Sequence, residues 1–338
     1  MSGTLVIQTA FLGDVVLTTP LLAALADKFE PVDVVVTPGA APLLHGHPAV
    51  RRVIAYDKRG RDAGAAGVWR MGRALRAVRY ERAFLPHASW RSAALALLAR
   101  VPERTGFADS AAAITYTTRV TRAPVGHEVE RILALAGRRV RTPPVSLALR
   151  PEDEAAADRW LAERGLAAGF TAVAPGSIWG TKRWPYYPAL AAALDGPLVV
   201  IGGADDAPLA DAVVAAAPGR AWSAAGALDL RGSAALIKRA RVLVTNDSAP
   251  LHLGTAVGTP MVALFGPTVP EQGFGPRGSR SLALGHAGLV CRPCSAHGPQ
   301  VCPLGHHRCM RDLPVETVAE AAVMVAEAKE RRAIRPRH

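Results

Sequence analysis

A short run near residue 250 constrains the fold of this chain more than any other feature. An apolar segment at 242–244 ends in polar residues at 245–248, and a helix pattern of small and apolar residues then runs to Gly258. A second apolar segment, 260–265, follows directly. A strand, a capped helix and a strand spaced this closely predict a βαβ unit in a parallel sheet. Its polar turn lies at a helix N-terminus, where unpaired backbone N–H groups favour an anion.

Strand and helix patterns alternate along all 338 residues, a length that suggests two domains with separate cores. The alternation starts with an apolar strand at 5–8, pauses at a loop at 141–144 and begins again after Pro151. Short connections between apolar strands favour parallel sheets covered by helices on both faces. We therefore predict an α/β fold with two Rossmann-like doubly wound domains. The predicted divisions are 1–145, 146–313, and a terminal helix with a basic tail at 314–338 that could lie back across the first domain.

The net charge of +12 comes mostly from arginines, which concentrate between residues 51 and 91 and again after residue 328. Nucleic acid, anionic lipid headgroups, acidic substrates and a merely solvated surface all fit such a charge. No apolar run approaches the ~20 residues that span a bilayer, and the N-terminus has no pattern of a secretion signal. We expect a cytosolic protein whose membrane contact, where it occurs, is peripheral.

Gly13 and Asp14 lie where the first strand gives way to the first helix. Glycine permits a tight turn and the close approach of a ligand to the backbone. The aspartate could cap the helix, which its position alone favours, or it could accept a proton from a hydroxyl. With an ordinary pKa near ~4 it would be a weak base, so that proton transfer would be late and concerted with attack.

Two further strand ends carry polar side chains suited to a nucleotide. The loop at 175–185 combines hydroxyls and adjacent cations, a set that suits a diphosphate. Asp205 and Asp206 follow a glycine pair after the next strand, where carboxylates often bind ribose hydroxyls. Either aspartate could equally cap the helix that follows. The candidate residues of the first loop are Ser177, Thr181, Lys182 and Arg183.

All the cysteines fall in one segment near the C-terminal end, with several histidines beside them. They are Cys291, Cys294, Cys302 and Cys309. The Cys-x2-Cys opening resembles half of a zinc knuckle, whereas the second pair has a wider spacing than zinc knuckles use. Structural zinc, free thiols and a redox-labile loop all remain open, and a permanent disulfide is not expected in a reducing cytosol.

Several of these motifs, in this order, resemble glycosyltransferase family 9, the lipopolysaccharide heptosyltransferases. The resemblance spans nearly the whole chain. The segment at 302–310 resembles the heptosyltransferase II branch, whose members add the second inner-core heptose. The other segments that carry the resemblance are 12–20, 47–50, 182–185, 246–252 and 264–268.

The resemblance implies a GT-B architecture, in which two Rossmann-like domains face a central cleft. It also implies ADP-heptose as donor, inversion at the anomeric carbon, and neither a catalytic metal nor a cofactor. The acceptor would be a phosphorylated Kdo-lipid A that carries heptose, and nucleic acid would not be a partner. The enzyme would be cytoplasmic and peripheral, on the anionic inner face of the cytoplasmic membrane.

Family motifs also give individual residues a role by resemblance. Asp14 matches a general base, and Lys182 matches a cation at the donor phosphates. Asp247 matches a carboxylate at the heptose hydroxyls, while Asp205 or Asp206 falls where an acidic residue meets the ribose. Residues expected elsewhere in the site are Ser248, Ala249 and His252 beside Asp247, Leu228 near the adenine, and Gly13, Arg73 and Arg76 toward the acceptor.

Three alternatives remain open at this stage. A nicotinamide-dependent oxidoreductase shares the doubly wound sheet, but the first strand-to-helix turn carries no G-x-G-x-x-G. A basic nucleic-acid-binding protein fits the charge, but the cysteines share one loop and no interleaved basic and aromatic residues accompany them. Within the family, heptosyltransferase I or a transferase that uses another sugar is the closer rival.

Overall fold

The computed structural model describes residues 3–137, 142–278 and 280–333, which belong to two compact units. The first unit is Met1–Ala148 and the second is Leu149–His338, so the boundary lies close to the predicted division at 145. Arg141, at the start of the predicted linker loop, and the basic tail at 334–338 lie outside the described residues.

The first unit is built on a parallel sheet whose described strands have the order β3-β2-β1-β4-β5-β6. The strands are β1 (Gly3–Ile7), β2 (Val32–Val36), β3 (Val50–Ala55), β4 (Tyr80–Leu85), β5 (Glu103–Phe107) and β6 (Thr118–Val120). The helices are α1 (Leu12–Phe29), α2 (Gly64–Arg76), α3 (Trp90–Leu98) and α4 (Glu128–Leu133). This strand order, which reverses direction at β1, is the order of a Rossmann sheet.

Alternation of side chains along β1 divides the core of the first unit into two layers. Val6 packs on one face of the sheet with helices α1 and α4. Leu5 and Ile7 pack on the other face with helices α2 and α3. Because both faces are covered, β1 is buried along its whole length, which explains why it reads as a continuous apolar run.

The second unit repeats the same strand order, β12-β11-β10-β7-β8-β9, and all its described pairings are parallel. The strands are β7 (Thr171–Ala174), β8 (Leu198–Val200), β9 (Ala221–Ser223), β10 (Val242–Asn246), β11 (Met261–Phe265) and β12 (Ser281–Gly285). The helices are α5 (Pro151–Ala162), α6 (Tyr187–Ala193), α7 (Ala207–Ala216), α8 (Leu230–Arg239), α9 (Ala249–Val257), α10 (Arg308–Arg311) and α11 (Val315–Ala333). Two Rossmann-like units therefore confirm the predicted fold class.

Helix α11 packs within the second unit, and its expected position across the first domain stays a prediction. Its residues Val318, Ala322 and Val325 are buried in the core of the second unit, together with Leu190 of α6 and Leu264 of β11. An amphipathic helix buries its apolar stripe against whichever surface completes a core, and here that surface is the second sheet. None of the helices in the described ranges combines the length and apolar character that crossing a membrane requires.

Candidate active site

The polar residues predicted for the second unit meet at the carboxyl edge of its sheet. Strands β7, β8, β10 and β11 are parallel neighbours, so their carboxyl ends share one edge. The loops that leave this edge begin at Pro175, Ile201, Asp247 and Gly266. In doubly wound sheets this edge is where ligands bind.

A buried ion pair lies at the centre of this edge. The Nζ of Lys182 is 2.6 Å from Oδ2 of Asp247, and the two side chains are only 10% and 8% exposed. The hydroxyl of Thr268 donates a 2.7 Å hydrogen bond to the same carboxylate oxygen. The sequence predicted separate roles for Lys182 and Asp247 and did not identify Thr268. The fold instead joins all three residues in one hydrogen-bonded group.

Ser248 occupies the N-cap position of α9, next to this ion pair, and its side chain makes no capping hydrogen bond. Its Oγ is buried and, in the described part of the chain, has no hydrogen-bond partner. His252, one turn into the helix, is buried and makes a T-shaped contact with the ring of Phe274 at a centroid distance of 6.4 Å. Ala249 begins the helix, so its backbone N–H group belongs to the N-terminal set that intrahelical bonds leave open. An unpartnered hydroxyl beside a helix N-terminus suits an anionic ligand.

Asn246 fixes the loop at 175–187 to the end of β10, a function that sequence reasoning did not identify. Its Nδ2 donates to the carbonyl of Pro175 at 2.8 Å. Its Oδ1 accepts from the backbone N–H of Trp184 and from the hydroxyl of Tyr187, each at 3.3 Å. Because Asn246 is fully buried, each of these bonds would be costly to lose.

The structure distinguishes the two aspartates after β8. Asp206 is half-buried and accepts from the backbone N–H of Gly203 at 3.0 Å, whereas Asp205 is exposed. A Cβ on Gly176 would stand 2.2 Å from Oδ1 of Asp206, so the two loops are in close contact here. Asp206 therefore lies at the ligand edge, and Asp205 is its solvent-facing neighbour. Leu228 is half-buried in the loop after β9, at the same edge.

The loop at 177–183 is held by the histidine-containing segment at 295–307. Thr181 donates from its hydroxyl to the carbonyl of Pro299 at 2.5 Å, and its own carbonyl lies 2.8 Å from Nε2 of His307. The ring of His297 stacks on Trp179 with centroids 6.1 Å apart. The Thr181 hydroxyl thus donates its hydrogen bond to a carbonyl of the protein itself, contrary to the expectation that it would face a phosphate. Arg183 donates to the carbonyl of Ser177 at 2.9 Å, so this bond joins the two ends of the loop.

Arg292, between the first two cysteines, joins the cysteine segment to the end of β11. Its guanidinium donates to the carbonyls of Phe265 at 2.9 Å and Thr268 at 3.0 Å, and also to those of Gly266 and His286. These bonds hold the backbone that carries Thr268. Through its arginine and histidines, the cysteine segment therefore holds in place the two loops that carry Thr268 and Lys182.

The four cysteines themselves are free thiols. Burial, with a contribution from Cys294, raises the pKa of Cys309 to about 11, so this thiol is uncharged at neutral pH. In residues 3–137, 142–278 and 280–333, no group of three or more His, Cys, Asp or Glu side chains is arranged to hold a metal ion. The zinc site stays a prediction.

Asp14 lies in the first turn of α1, and its carboxylate accepts from the backbone N–H of Phe11 at 3.2 Å. Burial, and after it the nearby carboxylate of Glu128, raises the pKa of Asp14 to about 6, while the Phe11 N–H and Arg122 oppose the rise. Glu128 is itself held by Arg122 through contacts of 2.5 and 2.6 Å. The sequence expected an ordinary pKa near ~4; the fold makes Asp14 a better base. Gly13 is buried beside it.

A basic group that sequence reasoning missed lies at the same carboxyl edge of the first sheet. Lys58 donates from Nζ to the carbonyl of Thr9 at 2.5 Å, just ahead of the Asp14 turn. Burial and the nearby Arg59 and Arg91 lower its pKa. His87 follows β4, and its buried Nδ1 has no hydrogen-bond partner in the part of the chain that the structure describes. The signal in the sequence was the position of these residues just after β3 and β4.

Arg73 and Arg76 do not join this group. They lie in the last turn of α2, which leads into the start of β4, and therefore at the opposite edge of the sheet from Asp14. Both belong to a groove of about 950 Å³ that residues at the beginnings of β4 and β5 also line. The expectation that Arg73 and Arg76 face the acceptor stays a prediction, and the fold separates them from Asp14 by the length of the sheet.

This chain is similar to known proteins in both sequence and fold. Residues 68–301 match the model of glycosyltransferase family 9 (heptosyltransferase). Lipopolysaccharide heptosyltransferase 2 of Salmonella typhimurium is 30% identical over 294 residues, which cover 79% of this chain and 83% of the relative. The solved structure of a family 9 glycosyl transferase from Veillonella parvula has a TM-score of 0.86 at 23% identity, over 97% of this chain and 98% of that one. Escherichia coli ADP-heptose lps heptosyltransferase II has a TM-score of 0.79 at 24% identity, over 97% and 99%.

Paired Rossmann-like units, together with a family match over most of the chain, define this protein as a glycosyltransferase. The chain belongs to glycosyltransferase family 9, the heptosyltransferase family. This confirms the resemblance that the sequence motifs carried. It also decides against the nicotinamide-dependent oxidoreductase and the nucleic-acid-binding protein.

Proposed function

We propose that this enzyme transfers L-glycero-D-manno-heptose from ADP-heptose to the inner-core heptose of lipopolysaccharide, with inversion at the anomeric carbon. The observation that carries the proposal is the buried pair of Lys182 and Asp247 beside the Ser248 cap of α9. A cation, a carboxylate and a helix N-terminus together match a donor that has a diphosphate at one end and sugar hydroxyls at the other. The relative from Salmonella typhimurium supports the heptosyltransferase II assignment.

On the donor side, positive charge stabilises the leaving ADP. As the bond between the anomeric carbon and the phosphate oxygen breaks, negative charge develops on the diphosphate. Lys182, the Ser248 hydroxyl and the N–H group of Ala249 act on that charge, and Asp247 orients the heptose hydroxyls. Asp206 binds the ribose, and Leu228 lies toward the adenine.

On the acceptor side, Asp14 acts as the general base. It takes the proton of the acceptor hydroxyl while the hydroxyl oxygen forms its bond to the anomeric carbon. A pKa of about 6 keeps the carboxylate mostly ionised at neutral pH and brings it nearer to the proton it must accept. Burial, the first cause of the raised pKa, therefore serves the chemistry.

The acceptor is proposed to be a phosphorylated Kdo-lipid A that already carries heptose. Lys58 and Arg91 suit its acidic groups, because they concentrate positive charge at the edge where Asp14 lies. Burial and the nearby Lys58 lower the pKa of His87, so this residue would act there as a neutral hydrogen-bonding group. Such an acceptor is anchored in the inner leaflet of the cytoplasmic membrane, so the enzyme would act as a peripheral protein on that anionic surface.

The reaction is proposed to need no metal and no cofactor, because Lys182 and the N-terminus of α9 supply the charge that a divalent cation would otherwise bring. Activity should then persist in excess EDTA. A loss of activity in EDTA that Mg²⁺ restores would contradict this part of the proposal.

A mass-spectrometric transfer assay tests the reaction directly. Purified enzyme is given ADP-heptose with Kdo₂-lipid A or with its mono-heptosylated form, and Asp14→Ala is run beside the wild type. One added heptose on the mono-heptosylated acceptor alone, lost in Asp14→Ala, is the expected result. Addition to Kdo₂-lipid A instead would indicate heptosyltransferase I. Transfer to neither acceptor by folded protein would overturn the donor and acceptor proposed here.

A further inference from the structure

Helices α2 and α3 present an outward face that combines apolar and basic side chains, and the chemistry proposed above does not use it. On α3 the apolar residues Trp90 and Leu97 lie seven positions apart, two helical turns, so they share one side of the helix. Trp90 is 56% exposed and Leu97 43%, although α3 also packs on the sheet. We refer to this surface, together with the outward residues of α2, as the α2–α3 face.

On α2 the outward residues follow the same spacing. Trp69, Arg73 and Arg76 lie at positions i, i+4 and i+7, while Met71 and Leu75 point into the core. The Arg73 guanidinium lies over the ring of Trp69, 5.4 Å from its centroid. The aromatic ring and the cation thus act together at the surface.

The two helices pack closely enough for the face to be a continuous surface. A Cβ on Gly72 would stand 2.5 Å from Cβ of Leu98, so only a glycine lets α3 approach α2 at this point. Between their C-terminal ends is the groove of about 950 Å³. Its lining includes Trp69, Leu98 and four arginines at 73, 76, 79 and 100.

Charge identifies what this face would bind. In the described ranges these four arginines form no ion pair with a carboxylate, and Glu81 is the sole acidic residue that lines the groove. A surface with unpaired guanidinium groups around exposed tryptophan and leucine matches the interface of an anionic bilayer. Phosphates there meet the cations, and the indole rings lie at the level of the headgroups.

We propose that the α2–α3 face is a docking surface for an anionic phospholipid bilayer. The proposal deepens the function given above, because a lipid-anchored acceptor requires the enzyme to work at a membrane. Helices α2 and α3 run antiparallel to the strands, from the Asp14 edge of the sheet to the opposite edge. A bilayer against this face would therefore leave the Asp14 edge open to an acceptor rising from the membrane.

Vesicle sedimentation tests the proposal without donor or acceptor, so its outcome is independent of the transfer reaction. Full-length protein is mixed with vesicles of phosphatidylcholine alone or of phosphatidylcholine with phosphatidylglycerol. We expect binding to the anionic vesicles only, weakened by salt and unaffected by inorganic phosphate at constant ionic strength. Arg73→Gln with Arg76→Gln should lower the partition coefficient about ten-fold or more. Arg119→Gln with Arg159→Gln, which removes the same charge from other exposed positions, should change it little.

A second variant examines the apolar part of the face. Trp69→Ser with Leu97→Ser should also weaken binding to anionic vesicles, while its melting temperature and its transfer rate on a detergent-dispersed acceptor stay near those of the wild type. Equal binding to both kinds of vesicle would overturn the proposal, and so would unchanged binding by Arg73→Gln with Arg76→Gln and by Trp69→Ser with Leu97→Ser. So would light scattering that shows a dimer which Leu97→Ser dissociates, because the face would then bind a second copy of the chain.

Discussion

The Nζ of Lys182 lies 2.6 Å from Oδ2 of Asp247, and both side chains are about nine-tenths buried. Taking two charges out of water is costly, and the pair is tolerated because each charge neutralises the other and Thr268 adds a hydrogen bond. A buried pair of this kind holds both groups in place before the donor arrives. Each partner therefore has a structural role besides its proposed chemical one.

Removing one member of the pair should destabilise the protein more than removing both. Lys182→Met or Asp247→Asn alone leaves a buried group uncompensated and should lower the free energy of unfolding by about 3–5 kcal/mol. The double variant should recover part of that loss. Urea unfolding of the four proteins measures the coupling, and Thr268→Val, which removes only a hydroxyl, should cost about 1 kcal/mol. Additive single effects would show that the pair is not coupled.

The rate of transfer should fall at low pH with the protonation of Asp14. The carboxylate must be ionised to accept a proton, and its pKa is raised to about 6, so kcat/KM should decline below about pH 6. The profile is measured at constant ionic strength over a pH range in which the protein stays folded. Asp14→Asn should be slow at every pH and lack this limb. A wild-type limb near the ordinary aspartate pKa of ~4 would mean that Asp14 titrates unperturbed.

Asp14 should also reduce stability at the pH where it works. Its folded-state pKa of about 6 exceeds the ordinary value of 3.8, so the folded protein binds the proton more tightly than the unfolded chain does. Above about pH 6 the ionised carboxylate of Asp14 therefore lowers the free energy of unfolding. Asp14→Asn should raise the melting temperature at about pH 8 by a few degrees, on the order of 2–4 °C, and the gain should shrink as the pH falls below about 6. A lower melting temperature of the variant in alkaline buffer would contradict this.

Glu128 should raise the pH at which the transfer rate begins to fall on the acid side of the profile. Its carboxylate raises the pKa of Asp14, and its neutralisation would also release Arg122, whose charge lowers that pKa. Glu128→Gln should therefore move the limb below about pH 6. Glu130→Gln, on the same short helix but half-exposed, should leave the limb in place. If both variants shift the profile equally, the effect belongs to the net charge and not to Glu128.

Asn246 should be required for both stability and donor binding. Asn246→Ala removes three buried hydrogen bonds to the loop that carries Lys182, and should lower the free energy of unfolding by about 2–4 kcal/mol. The KM for the donor should rise because the loop loses its anchor. Thr259→Val removes a buried hydrogen bond elsewhere in the second unit and should cost about 1 kcal/mol without affecting that KM. Equal donor KM in both variants would refute the anchoring role.

Central strands were readable from the sequence because their burial is nearly complete. β1, β7, β10 and β11 are buried along their whole lengths, and a strand covered on both faces needs a continuous apolar run. β5, β6, β9 and β12 were not identified. They are short or partly exposed, and they lie at or beside the outer edges of the sheets. Their sequences mix polar and apolar residues, because a partly exposed strand does not need to be apolar along its whole length.

The sequence by itself determined the βαβ run around residue 250, the repeated Rossmann pattern and the polar residues at the strand ends, since these follow from local periodicity and capping. Only the tertiary structure joined Lys182 to Asp247, 65 residues away, and Thr181 to Pro299, 118 residues away. It also decided the pKa of Asp14 and the sheet that covers α11. The reason is physical: a local pattern states which side chains must be buried or capped, whereas partners, distances and burial arise only when distant segments pack together.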